Sequence, residues 1–389
     1  MSTPSSDAIT FVLSEQESTV IFEQNIIPAE FGGLEENVAT LLPPSPPNIL
    51  IVGQTGAGKT RAAPAIKKAF ESVAIRGKHR RSRDSSVLAE DIKEEQEGPV
   101  LAHFVADTYK TYHPAYATLS AAEQRDHQPG RASAATGPDA RRWLAMAARY
   151  AVALRADVLL ESACRYPDDF ASLAQTFHEG GYRVEVVLLA VPAGLSRLGT
   201  LTRFYRRRRP SEEAAGAESS PPRQQGALLQ ARLTPKKVHD ASYEGLLYAA
   251  EFVDEASVVD QVVVVRRDNL VVYANEKEKG ERGRNDNTGE QPGPGTADAL
   301  RRERRRPLLE GERDAAADDL ARLRSIERGP SSELWTQLAD VEALLEPLLA
   351  ETASVSGEEF PKVRPLVLPS QTMSLLEQDG GYVDLRLGT

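Results

Sequence analysis

Residues 53–60 read Gly-Gln-Thr-Gly-Ala-Gly-Lys-Thr. This is the Gly-x-x-x-x-Gly-Lys-Ser/Thr pattern, whose backbone amides cradle phosphate. No other segment constrains the fold as tightly. The pattern works only where a buried strand ends and a helix begins, because the concavity needs the helix's first N–H groups. Both neighbours are present. Asn48-Ile49-Leu50-Ile51-Val52 is an unbroken apolar run, the mark of a strand covered on both faces of a parallel sheet. Lys59 opens a helical stretch running to about Ser72. Gly53, Gln54, Thr55, Gly56, Ala57 and Gly58 form the predicted phosphate cradle. Lys59 is placed to reach the β- and γ-phosphates of ATP or GTP, and the Thr60 hydroxyl to ligate the Mg²⁺ that accompanies them.

The same alternation continues along the chain. Apolar runs at Val100–Ala106, Val158–Leu160, Val184–Ala190 and Val262–Val265 predict further buried strands. Helical patterns at Asp139–Leu154, Pro167–His178 and Ala193–Arg207 fall between them. Strand and helix in turn predict an α/β fold, a parallel sheet with helices on both faces, here of the P-loop kinase-like kind. The expected organisation is a lead-in and Pro-rich connector over 1–47, ending in Pro43-Pro44-Ser45-Pro46-Pro47, and a core over 48–275. Polar insertions at 76–98 and 210–227 interrupt the core. A Gly- and Asn-rich insertion at 276–296 follows, then two amphipathic helices within 297–352 (about 297–326 and 331–351), then an acidic tail over 353–389.

Ligands of such sheets bind at the carboxyl edge, so the residues ending the strands are the next candidates. Asp107 ends the second strand and Glu161 the third. Beside a nucleotide, one carboxylate can orient the metal and the other can accept a proton from a substrate hydroxyl; spacing alone does not assign them. Arg203 ends the helix after the fourth strand and Arg232 follows the second insertion. Guanidinium groups there suit the charge that spreads over a phosphoryl group in transfer. Cations at a helix C-terminus are also favoured by the macrodipole, so Arg206–Arg209 read as a solvated helix end. The arginine run 301–306, opposite Glu310 and Glu312, reads the same way, as a solvated, ion-paired helix.

Composition narrows the partners. With 47 basic and 57 acidic residues the net charge is −10, which argues against a nucleic-acid partner. Cys164 is the single cysteine, so no intrachain disulfide can form, and with no histidine beside it in sequence it reads as a buried structural thiol. No run is long and apolar enough to span a membrane, and the start of the chain lacks the order of a secretory signal. The expectation is a cytoplasmic protein with no membrane partner.

Several segments resemble the zeta toxin family, the kinase half of epsilon/zeta toxin–antitoxin systems. GQTGAGKT at 53–60, ADTYKTYHPAY at 106–116, SAATGPDARRW at 133–143, LLESACR at 159–165 and GGYRVEVVLLAVP at 180–192 carry it. So do LTRFYRR and ARLTPKKVHDASY at 231–243. The resemblance covers about residues 40–325. It implies a kinase that uses ATP or GTP with Mg²⁺ to phosphorylate the sugar 3′-hydroxyl of UDP-N-acetylglucosamine, which would block peptidoglycan synthesis. It implies Lys59 and Thr60 on nucleotide and metal, Asp107 as general base and Glu161 as a substrate- or metal-proximal carboxylate. Arg203 and Arg232 become the phosphate-stabilising pair, and a small helical antitoxin the partner. One departure is Ala163, where the family often carries Thr. Readings kept beside this one are a kinase of another acceptor (a dinucleotide or a nucleic-acid end), a plain nucleotide hydrolase, and a silent interaction protein docking through its C-terminal helices.

Overall fold

The computed structural model describes residues 11–32, 47–67, 101–126, 129–208, 232–276, 294–326, 333–350 and 364–365. The insertions expected at 76–98 and 210–227, most of the one at 276–296, Arg209, and all of the tail 353–389 except 364–365 lie outside the described residues.

Seven strands form one sheet in the order β2-β3-β1-β4-β5-β6-β7. They are β1 (Pro47–Val52), β2 (Leu101–Val105), β3 (Asp157–Ser162), β4 (Arg183–Leu189), β5 (Gln261–Val265), β6 (Leu270–Glu276) and the two-residue β7 (Arg364–Pro365). The first five are parallel; β6 pairs antiparallel with β5, and β7 with β6. All five apolar runs picked out from the sequence are strands, and the P-loop kinase-like α/β architecture stands. Strand β6 was not expected. It is a hairpin partner at the sheet edge, and its polar end, Asn275-Glu276, hides it beside the insertion that follows.

Burial explains the pattern. In β1, Ile49 and Ile51 point to one apolar cluster, Leu50 and Val52 to the other, so both faces are covered and Ile49–Val52 is apolar throughout. One face carries α4 (Arg131–Leu154), α5 (Pro167–Glu179), α7 (Lys236–Glu255) and α8 (Thr296–Arg305). The other carries α2 (residues 59–67), α6 (Ala193–Arg208), α9 (Glu310–Ile326) and α10 (Glu333–Ala350). A shorter helix, α3 (Tyr116–Asp126), precedes α4.

Three expectations need correcting. Within the lead-in, α1 (Glu15–Ile21) runs into a π-helix over Phe22–Phe31, so this stretch is helical rather than a bare connector. Ser14 and Glu17 form a capping box at its start. Phe22, Ile26 and Phe31 are buried in the main core, and the Trp143 indole N–H donates to the Ser18 carbonyl at 3.0 Å. The helix expected over 297–326 is broken into α8 and α9 at Arg306-Pro307, because proline has no N–H to continue the ladder. The arginine run at 301–306 is not a solvated face. Arg304 and Arg306 are buried, and Glu303 accepts from both Arg266 and Arg306.

Candidate active site

The five parallel strands present their carboxyl ends to one side, and a cleft of about 890 Å³ opens there. Thr55, Lys59, Thr60, Asp107, Glu161, Arg203 and Arg232 all line it. Residues separated by up to 177 positions thus share one wall-to-wall space, consistent with ligand binding at such edges.

The loop after β1 has the backbone its glycines permit. Gly56 and Gly58 sit at φ +84° and +109°, a region side chains rarely adopt. A Cβ on Gly56 would lie 1.9 Å from the Ser196 carbonyl oxygen, so the loop also needs a bare backbone against α6. The Ala57 N–H closes the turn onto the Gln54 carbonyl at 3.0 Å. Lys59 Nζ donates to the carbonyls of Gly53 (2.6 Å) and Gln54 (3.4 Å). Burial lowers its pKa to about 8; Arg203 adds to this, while Glu161 and Asp107 oppose it. Thr60 is exposed and lines the cleft. The Gln54 side chain, by contrast, is fully buried and points away, donating to the Val191 carbonyl at 2.6 Å.

Asp107 stands opposite. It begins the 3₁₀ turn Thr108–Tyr112, which brings Lys110 back over it at 2.6 Å. Arg232 donates to its other oxygen. Burial raises the Asp107 pKa, but the charges of Arg232 and Lys110 outweigh it and hold the carboxyl well below its ordinary range. Arg232 is itself fixed by Ser133 (2.9 Å) and Tyr116 (3.2 Å). Arg203 reaches the Thr234 hydroxyl at 3.4 Å. Glu161 is buried and meets His103 Nε2 at 2.9 Å.

Sequence reasoning missed Lys110, His103, Ser133 and Tyr116. For Lys110 a signal existed, since a cation three residues after a strand-end aspartate falls over it in one tight turn. The others meet the site only through long-range folding. A second missed group lines the far end of the cleft. Arg141 of α4 stacks over the Tyr166 ring at 4.0 Å and pairs with Asp169 at 3.1 Å, and Arg165 lies 5.1 Å from the same ring. Cys164, in the left-handed region at φ +52°, turns the chain so that Arg165 and Tyr166 face the cleft. Its thiol is buried, as expected.

The zeta toxin family model matches residues 77–278. That span begins after the phosphate loop and contains Asp107, Glu161, Arg203 and Arg232. Toxin PezT of Streptococcus pneumoniae is 25% identical over 226 residues, covering 58% of this chain and 70% of that protein. A solved structure from the PezAT chromosomal toxin–antitoxin system of Streptococcus pneumoniae is 17% identical. The match covers 87% of this chain and 99% of that one, with a TM-score of 0.46. The native AvrRxo1-ORF1:-ORF2 complex gives 11% identity, coverages of 86% and 88%, and a TM-score of 0.37.

Proposed function

The chain belongs to the zeta toxin family, a family of P-loop kinases, and on that premise we propose that it transfers the γ-phosphate of ATP or GTP to the 3′-hydroxyl of UDP-N-acetylglucosamine. The observation that carries this reading is the shared cleft. A carboxylate held ionised by two cations faces a phosphate loop whose lysine points to the same space.

In this reading Lys59 leaves the Gly53 and Gln54 carbonyls and turns to the β- and γ-phosphates. The Thr60 hydroxyl would hold Mg²⁺, which neutralises phosphate charge when bound. Asp107 accepts the proton of the acceptor hydroxyl as that oxygen attacks. Arg232 and Lys110 hold the carboxylate in place, and Arg203 stabilises the charge on the transferring group. Glu161, fixed by His103, orients the acceptor or the metal.

The acceptor's size supports a nucleotide sugar. On α4, Ser133 touches the Arg232 that grips Asp107, and Arg141 stacks on Tyr166 eight residues further on. Eight residues of helix span about 12 Å. That is of the order of the distance from a sugar hydroxyl across a diphosphate to a pyrimidine ring. Two guanidinium groups suit the diphosphate and an aromatic face suits the ring.

The test is mass spectrometry of reactions with ATP or GTP, Mg²⁺ and UDP-N-acetylglucosamine. Phosphorylated UDP-sugar that disappears with Lys59→Ala and with Asp107→Asn supports the reading. Nucleotide consumption that needs Lys59 but gives no phosphorylated sugar overturns the acceptor. We further propose a cytoplasmic protein held inactive by a small helical antitoxin, as the family's toxin–antitoxin pairing suggests. No helix among the described residues is long and apolar enough to cross a membrane.

A further inference from the structure

Two arginines outside the cleft lining, and without a role in the reading above, contact the phosphate loop. Arg267, in the turn between β5 and β6, donates through Nη2 to the Gly56 carbonyl at 2.8 Å. Arg304, on α8, donates through Nη2 to Gln54 Oε1 at 3.2 Å and stacks over the Tyr243 ring at 3.7 Å. Gln54 then passes its amide N–H to Val191. Each arginine keeps a buried Nε–H with no partner. A buried, incompletely satisfied guanidinium is costly, and here two such groups meet one eight-residue loop.

The surrounding backbone is shaped to admit them. A Cβ on Gly199 of α6 would lie 2.3 Å from Arg267 Nη2 and 2.6 Å from the Gly56 carbonyl oxygen. Gly199 must therefore be bare for helix, arginine and loop to meet. A glycine peptide rotates easily, and a Gly56 carbonyl turned into the concavity would repel phosphate. Arg267 holds that carbonyl outward. Arg304 holds Gln54, whose carbonyl lies next to Lys59.

We propose that Arg267 and Arg304 are positioning residues that lock the phosphate loop in its phosphate-receiving shape. This makes α8, which lies beyond the family-matched span 77–278, a working part of the nucleotide site. The inference rests on the reading of residues 53–60 as that site.

The experiment compares the full chain with Arg304→Gln, Arg267→Gln, Arg304→Lys and, as a control on the exposed side of α8, Arg305→Gln. Affinity for Mg-ATP is read by calorimetry, steady-state KM for ATP and for UDP-N-acetylglucosamine is read separately, and folding is followed by thermal unfolding. Arg304→Gln and Arg267→Gln should each weaken ATP by about tenfold or more and leave the KM of the acceptor unchanged. Arg304→Lys should recover part of the loss, because an ammonium can still donate to Gln54. Arg305→Gln should match the parent. Equal rises in both KM values, or unchanged ATP affinity in a folded Arg304→Gln, overturn the proposal. Should Arg304→Gln fail to fold, Gln54→Ala removes the acceptor and keeps the arginine, and unchanged ATP affinity there overturns it equally. A parent that binds neither ATP nor GTP overturns the nucleotide reading, and the brace falls with it. A parent that binds while the variants bind equally well removes the brace alone.

Discussion

Raising the pH should switch off nucleotide binding at a point set by Lys59. Burial holds this lysine at about 8, with Arg203 adding to the shift and the carboxylates of Glu161 and Asp107 opposing it. With that value the charged fraction is about nine-tenths near pH 7 and about one-tenth near pH 9. If the charged form alone grips the β- and γ-phosphates, affinity falls about tenfold over that interval, or about 1.4 kcal/mol. Folding linkage runs the other way. The folded lysine titrates below its unfolded value of about 10.4, so the unfolded chain binds more protons between about pH 8 and that value. The empty protein's stability therefore gains from this group as pH rises, while nucleotide affinity drops. Isothermal calorimetry with Mg-ATP, in buffers of different ionisation heat, measures both affinity and proton uptake. Uptake should rise from about one-tenth of a proton per nucleotide near pH 7 towards about nine-tenths near pH 9. Lys59→Arg, always charged, should bind more weakly but lose the pH dependence. Flat affinity with no proton uptake across the interval would refute the reasoning, because it would mean that the lysine stays charged in its carbonyl nest.

Other outcomes follow from the same geometry. Asp107→Asn should lower kcat by about 10²–10⁴-fold and leave ATP affinity near that of the parent in calorimetry. Since Asp107 keeps 39% of its side chain exposed, thermal unfolding should show a change of only about 1 kcal/mol or less. Gly56→Ala places a Cβ against Ser196 at a positive φ and should cost at least about 2 kcal/mol in urea denaturation. Arg141→Ala should raise the KM for UDP-N-acetylglucosamine about tenfold or more, with Mg-ATP affinity unchanged. Deleting residues 1–32 removes the buried Phe22, Ile26 and Phe31, at about 1.5–3 kcal/mol each. That sum is comparable with a typical domain's whole stability, so soluble yield should collapse.

What could be read from the chain in advance was what local physics dictates. The strands were legible because a strand covered on both faces must be apolar throughout, as Ile49–Val52 is. The phosphate loop was legible because its backbone demands glycine at 56 and 58. Asp107 and Glu161 followed from their places at strand ends. The α1 and π-helical segment was not legible. Its buried apolar residues, Phe22, Ile26 and Phe31, fall at spacings of four and five, the buried position before them is the polar Ser18, and Pro28 sits inside it. Helix α7 was concealed within a segment read for its arginine. The arginines at 304 and 306 looked solvated because their partners, Gln54, Glu303 and Tyr243, are gathered only by the finished fold. His103 and Ser133 belong to the same class, being ordinary polar residues until the sheet and α4 bring them to Glu161 and Arg232.

The hydrogen bond from Arg304 to Gln54 joins positions 250 residues apart. On a ribosome adding roughly 5–20 residues per second, about 12–50 seconds separate the synthesis of the two ends. The motif is therefore complete in sequence long before it is complete in structure. A nascent or prematurely terminated chain that stops short of α8 carries every glycine of the loop and its lysine, yet lacks the guanidinium beneath Gln54. For this chain, the order of synthesis sets a delay between writing the phosphate loop and finishing it.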